Sequence, residues 1–158
     1  MSPDGSTVLF GALPNQSKLT LTEKRRLKSF AQVLSQEVAN GRAFTCLITT
    51  DDELRSLNSQ FLRHDYATDV LSFPSDAAEG ELGDLAISVN RAEVQAREFG
   101  HTRTDEICIL MLHGVLHLTG MDHEADNGEM ARAEGKWRDQ FGLPTSLISR
   151  STLTRSAP

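Results

Sequence analysis

Three of the five histidines of the chain lie close together, at His113, His117 and His123. A spacing of four residues places His113 and His117 on one face of an α-helix. Gly120 can take the left-handed conformation that ends a helix, and the returning chain would bring His123 toward the first two rings. Three imidazole ligands leave the fourth position of zinc open for a water whose pKa falls to about 7. The pattern predicts one catalytic Zn²⁺ per chain.

The histidine spacing, with a glycine between the second and third, is also that of the metzincin proteases. Those enzymes carry a glutamate general base directly after the first histidine, and Gly114 stands at that position here. A metallopeptidase is therefore an alternative that lacks its usual proton acceptor. Asp122 and Glu124 flank His123 and could orient a ligand or carry protons, but they fit plain loop carboxylates equally well.

The elements that position these residues follow from hydrophobic periodicity and from turn and capping signals. The helix at 104–118 is apolar around nearly its whole circumference, which is typical of a helix in the middle of a protein. We predict an α+β fold, in which a small mixed β-sheet is covered by helices and one central buried helix carries two metal ligands. Strands are predicted at 7–10, 43–49, 70–73 and 85–89, and helices at 22–40, 50–61, 90–99, 104–118 and 127–141.

The length and composition of the chain suit one domain with a real core. It has 158 residues, of which 39% are hydrophobic and 24% charged. We predict a single metal-dependent hydrolase domain at 1–144 and a flexible tail, rich in Ser, Thr and Arg, at 145–158. Cys46 and Cys108 lie in apolar stretches and are expected to be buried thiols. With no signal peptide and no apolar run near ~20 residues, we expect a cytoplasmic protein.

Three blocks of the sequence carry a family resemblance. The first is His113-Gly-Val-Leu-His-Leu-Thr-Gly-Met-Asp-His-Glu124, the second combines Leu57-Asn58 with Arg63 and Thr68-Asp-Val-Leu-Ser-Phe-Pro74, and the third is Leu82-Gly-Asp-Leu-Ala-Ile-Ser88. Together they resemble the signature of the YbeY family, bacterial metal-dependent endoribonucleases linked to rRNA maturation. The blocks keep the order of the family, and the resemblance covers roughly residues 20 to 143. Ala67 stands where a proline is common and Met121 where a tyrosine is common, and neither change removes a proposed ligand.

The resemblance implies that the three histidines are the zinc ligands and that Arg63 lies near the metal and acts in catalysis. A guanidinium there would hold phosphate oxygens with paired hydrogen bonds, whereas the residues alone favour a solvent-exposed arginine at a helix end. Asp69, Ser72 and Asp84 fall in family blocks that line or support the cleft. Asp122, beside the third histidine, is our candidate for a catalytic proton carrier.

The resemblance further implies a zinc-dependent, single-strand-specific endoribonuclease that acts in 3′-end maturation of small-subunit rRNA and in ribosome quality control. Its substrate would be single-stranded RNA or an rRNA precursor, and small-subunit ribosomal proteins or an assembly GTPase are candidate partners. The net charge of −6 argues against non-specific coating of nucleic acid but leaves room for a local basic groove. The alternatives are a metallopeptidase-like hydrolase and a non-catalytic assembly factor whose zinc, with a fourth protein ligand, only ties the helix to the next loop.

Overall fold

The computed structural model describes residues 5–62, 68–75, 80–121 and 127–144. Every predicted strand and helix is present, and no boundary differs from its predicted position by more than three residues. A short 3-10 helix, Asn15–Ser17, precedes the first α-helix. In chain order the elements are β1 (Thr7–Phe10), α1 (Leu21–Glu37), β2 (Phe44–Thr49), α2 (Asp51–Leu62), β3 (Val70–Pro74), β4 (Gly83–Ser88), α3 (Val89–Phe99), α4 (Arg103–Leu118) and α5 (Glu129–Phe141).

The four strands form one mixed sheet in the order β1-β2-β4-β3. Strands β1, β2 and β4 run parallel, and β3 is antiparallel to β4. Antiparallel β3 can lie beside β4 because the two strands are joined directly, whereas the parallel neighbours β1 and β2 are connected through helix α1. The predicted α+β fold with a small mixed sheet is therefore confirmed.

Helix α4 lies on one face of the sheet, in contact with α1, α3 and α5, while α2 contacts β3 and β4. The main core surrounds α4 and takes Cys46, Leu85 and Ile87 from the sheet. A smaller cluster forms around Leu54 of α2 with Leu71 and Ala86, which point the other way because side chains alternate along a strand. The prediction of a central buried helix is confirmed, since the side chains from Ile107 to Leu112 are at most 1% exposed.

The start of α4 is fixed to α1 and α3 by one arginine. Arg103 donates hydrogen bonds of 2.8–2.9 Å to the carboxylate of Glu23 and one of 2.8 Å to Glu93. The bonds from Arg103 lower the pKa of Glu23 to about 2, although partial burial opposes the shift. Glu23 also completes the capping box that begins α1 at Thr20. These bonds thus hold the start of α4 against α1 and α3.

Helix α3, predicted at 90–99, begins one residue earlier, at Val89. Strand β4 passes into α3 without a loop, so Ser88 is the N-cap and accepts a hydrogen bond of 3.1 Å from the backbone N–H of Arg91. The side chain of Asn90 instead accepts a bond of 2.7 Å from the N–H of Asp51, at the start of α2. The asparagine caps a helix, but one that is distant in sequence.

Cys46 and Cys108 are buried and unpaired, as predicted. Burial raises the pKa of both thiols, that of Cys108 to about 12. None of the helices within the described ranges is long and apolar enough to span a membrane. The tail predicted at 145–158 lies outside the described residues.

Gly114 lies where α4 packs closely against β4. A methyl group added at Gly114 would lie 2.6 Å from Cδ2 and 3.1 Å from Cδ1 of Leu85 on β4. In contrast, no described atom lies within 4 Å of a methyl group at Gly135, which is also in a helix. The two glycines are therefore a matched pair, one in close contact and one in open space.

We expect Gly114→Ala to destabilise the protein and Gly135→Ala to stabilise it. Overpacking at Leu85 costs about 1–3 kcal/mol, which outweighs the higher helix propensity of alanine, about 1 kcal/mol at most. At Gly135 only the propensity gain applies. Urea unfolding of both variants and wild type measures the two free energies. A stabilisation of similar size in both variants would contradict the close approach of α4 to β4.

Candidate metal centre

The last two turns of α4 bring two imidazole nitrogens together. Nε2 of His117 lies 3.2 Å from Nε2 of His113. The ring centroids are 4.8 Å apart, and the ring planes make an angle of 73°. His113 is buried and His117 is half-buried, so the pair lies at the border between the core and the surface. The structure thus confirms that the two rings share one face of the helix.

The other ring nitrogen of His113 meets a carboxylate from helix α5. Oε1 of Glu134 lies 2.9 Å from Nδ1 of His113, and the Glu134 side chain is only 1% exposed. A carboxylate accepts hydrogen bonds, so Nδ1 of His113 carries the proton and donates a hydrogen bond to Glu134. In the neutral ring, Nε2 of His113 then carries a lone pair directed toward His117.

The separation of the two Nε2 atoms fits a single shared metal ion. Two nitrogen ligands at about 2.0–2.1 Å from a tetrahedral zinc ion lie about 3.3–3.4 Å apart. The observed 3.2 Å is close to that value. Among the described residues no group of three His, Cys, Asp or Glu side chains forms a complete metal site. The third ligand predicted from the sequence, His123, lies outside the described residues.

The end of α4 turns the chain back, as the sequence predicted for Gly120. Gly120 has a φ of 104°, which favours glycine. Its N–H donates to the carbonyl of His117 at 2.9 Å, and the N–H of Met121 donates to that of Leu116 at 3.2 Å. These two bonds form a Schellman motif. Met121 packs against the main core, so the chain leaves α4 toward the protein rather than into solvent.

Of two residues predicted to support the site, Ser72 lies within β3 and Asp69 directly before it. Oγ of Ser72 lies 3.5 Å from the carbonyl oxygen of Gly114, beside the first histidine, on the face of the sheet that α4 covers. Asp69 accepts a hydrogen bond of 3.2 Å from the side chain of Gln95 and, through its backbone carbonyl, one of 3.0 Å from Ser88. Ser72 therefore adjoins the histidine turn, whereas the contacts of Asp69 are with α3 and the end of β4.

Asp84 lies on the other face of the sheet. It is exposed on β4 and pairs in register with Phe73 of β3, and both side chains line a groove of about 430 Å³ beside α2. Leu85, the next residue, packs against Gly114 of α4. The sheet thus separates the carboxylate of Asp84 from the histidine pair. The other residues that line the groove are Thr45, Leu47, Leu57, Phe61, Leu85 and Ala86.

Two predicted catalytic residues, Arg63 and Asp122, lie outside the described residues, as does Glu124. In contrast, Glu134 contacts a proposed ligand and was not among the predicted site residues. Its sequence signal was available, because it is a charged residue at an inward position of the amphipathic helix α5. A buried carboxylate needs a hydrogen-bond donor as partner, and the sequence does not say which donor would supply it.

The chain is similar over most of its length to known proteins. The family described as Endoribonuclease YbeY matches residues 13–142. The Endoribonuclease YbeY of Solibacter usitatus is 56% identical over 149 residues, which span 94% of this chain and 97% of that protein. The protein of the same name from Helicobacter pylori strain J99 is 38% identical over 139 residues, or 87% of this chain and 92% of the relative.

A solved structure also resembles this fold. The solution structure of a protein from Thermotoga maritima aligns with a TM-score of 0.50 and 28% sequence identity. The alignment covers 84% of this chain and 93% of the other. The likeness therefore extends over most of both chains.

Proposed function

Because the chain belongs to the Endoribonuclease YbeY family, we propose that it is a zinc-dependent, single-strand-specific endoribonuclease. The observation that supports the metal dependence is the approach of the two Nε2 atoms to 3.2 Å at the end of a buried helix. We further propose that it acts in 3′-end maturation of small-subunit rRNA and in ribosome quality control, with an rRNA precursor as its substrate. Small-subunit ribosomal proteins or an assembly GTPase are the proposed partners.

His113, His117 and His123 would hold the zinc ion. When bound, zinc would supply a Lewis acid for phosphate oxygens and lower the pKa of a water molecule. His113 presents a neutral nitrogen because Glu134 takes the hydrogen bond from its other nitrogen. A neutral imidazole is the form that binds metal, so the hydrogen bond prepares His113 as a ligand.

Arg63 and Asp122 are the proposed catalytic side chains. A guanidinium can bind two phosphate oxygens at once and stays charged at any relevant pH, so Arg63 would steady the charge that develops on the scissile phosphate. Asp122 would carry a proton to or from the reacting oxygens. Because the chain has a net charge of −6, its overall charge does not attract phosphate, and phosphate binding would depend on a positioned cation such as Arg63.

The packing of Gly114 weakens the metallopeptidase alternative. Metzincins carry their glutamate base directly after the first histidine. In this chain that position faces Leu85 across a contact too close for a methyl group. The side chain of Leu85 therefore fills the space that the glutamate base of a peptidase would need at this position.

Zinc content tests the metal site. We expect about one zinc ion per wild-type chain and a sharp loss of zinc in His117→Ala, because two ligands hold zinc far less tightly than three. His64→Ala is the matched control, since its histidine is outside the proposed ligand set, and it should keep its zinc. Elemental analysis of the folded proteins gives the ratios. Equal zinc in wild type and His117→Ala would contradict the site.

A chelator tests whether zinc is chiefly structural. The core extends from Val8 to Leu143 without metal ligands at its centre, so the fold should persist when zinc is removed. We expect a strong chelator to lower the Tm of the wild type while the cooperative thermal transition remains. The melting curve of His117→Ala should not respond to the chelator. Complete unfolding of the wild type by chelation at room temperature would assign zinc a structural role.

Charge reversal at Arg63 tests the nuclease mechanism. We expect Arg63→Glu to abolish cleavage of single-stranded RNA while zinc content and Tm stay at wild-type values. Arg63→Lys should also lose about tenfold or more, equivalent to about 1.4 kcal/mol, because lysine keeps the charge but not the planar fork. Arg97→Glu, an exposed charge reversal on α3, is the matched control and should cleave normally.

Single-turnover rates on an rRNA precursor, with casein as a parallel substrate, distinguish the candidate functions. Wild-type cleavage of RNA by folded, zinc-loaded Arg63→Glu would remove this residue from the mechanism. Cleavage of casein instead of RNA would favour the metallopeptidase, and cleavage of neither would favour the assembly factor.

A further inference from the structure

We infer that Glu134 is a positioning residue of the metal centre, which holds His113 in the one tautomer that can bind metal. The inference rests on the proposed zinc site and extends it to helix α5, which supplies none of the proposed ligands. The geometry behind it is a buried carboxylate oxygen 2.9 Å from Nδ1 of His113, whose Nε2 lies 3.2 Å from Nε2 of His117.

Glu134 occupies a position that packing alone would give to an apolar residue. Met130, Glu134, Trp137 and Phe141 follow one another at helical spacing and face the interior of the protein. Met130 is fully buried, and the rings of Trp137 and Phe141 stack at 5.7 Å. A carboxylate among these side chains loses its hydration, which costs free energy unless hydrogen bonds replace the water. His113 supplies such a bond.

The hydrogen bond selects between two forms of the imidazole. A neutral histidine carries its proton on Nδ1 or on Nε2, and only the nitrogen without the proton can bind metal. If Nε2 of His113 held the proton, the lone pair of Nδ1 would face the carboxylate oxygen at 2.9 Å in a buried place. That arrangement leaves two buried acceptors facing each other, so the Nδ1–H form is favoured. Its Nε2 lone pair then points toward His117.

A carboxylate at this distance also affects how strongly His113 binds a cation. It attracts the proton of Nδ1 and thereby makes Nε2 a more basic ligand. It also places a negative charge close to the proposed site. Three neutral imidazoles would not balance the positive charge of a metal ion, so a nearby carboxylate would favour metal binding. Loss of such a partner typically weakens metal binding by about 10–100-fold.

A purely structural role for Glu134 would be to join α5 to α4. Both roles predict that loss of the carboxylate lowers the Tm, so stability cannot separate them. The zinc affinity of a folded Glu134 variant can, because it should not change if the hydrogen bond only joins the two helices. The tautomer of His113 tests the premise that Nε2 is the nitrogen free to bind metal.

The first test is the zinc affinity of Glu134→Gln, measured by competition with a chelating indicator. Glutamine keeps the size of the side chain but has no charge, and its amide can donate as well as accept, so it no longer selects one tautomer. We expect zinc affinity to fall by about 10–100-fold. Asp139→Asn is the matched control, because it removes one carboxylate from the same helix at a side chain that is 76% exposed. Its zinc affinity should equal that of the wild type.

The second test uses the wild-type protein and does not depend on whether a variant at Glu134 folds. Long-range ¹H–¹⁵N NMR spectra of the metal-free wild-type protein, above the ordinary histidine pKa of about 6.5, report which ring nitrogen holds the proton. The His113 signals are assigned as those that disappear in His113→Gln. We expect the proton on Nδ1. A dominant Nε2–H form would overturn the inference, even if Glu134→Gln did not fold.

The two proposals fail in different ways. If folded Glu134→Gln binds zinc as tightly as wild type while His117→Ala loses it, the metal site stands and the role of Glu134 is wrong. If His117→Ala also keeps its zinc, the metal site itself is wrong, and the inference about Glu134 falls with it.

Discussion

The close approach of α4 to the sheet sets the direction of each side chain in the candidate site. At Gly114 the helix lies so near β4 that even a methyl group would be 2.6 Å from Leu85. Successive residues of an α-helix are rotated by about 100°, so His113 and His117 lie about 100° and 60° from the direction of the sheet, on the same flank. The glycine therefore fixes the rotation of α4, and with it the flank on which the two rings meet.

The same rotation brings the histidines to helix α5. Because that flank is covered, His113 is buried and must direct its second nitrogen to a partner inside the protein. Glu134 provides that partner at 2.9 Å, so each of the two buried polar groups has a hydrogen-bond partner. His117 is half-buried and lies at the border of the core, so a substrate as large as RNA need not enter the interior.

The residues of the sequence blocks that carry the family resemblance lie on both faces of the sheet. Ser72 lies on the face covered by α4, within 3.5 Å of the backbone of Gly114. Asp84 lies on the opposite face, in a groove lined mainly by apolar side chains of the sheet and α2. Neighbouring residues in one block thus face different environments, since the side chains of a strand alternate between its faces. Membership of a block does not place a residue beside the histidine pair.

The sequence by itself determined the elements and the pairing of His113 with His117, because both depend on local periodicity. Hydrophobic spacing gave the strands and helices, the apolar α4 gave its central position, and a four-residue spacing placed the two rings together. Three features depended on the tertiary structure: the partner of Glu134, the capping of α2 by Asn90 and the side of the sheet that Asp84 occupies. Each is a relation between elements distant along the chain, and it is set by which faces pack together rather than by the order of neighbouring residues.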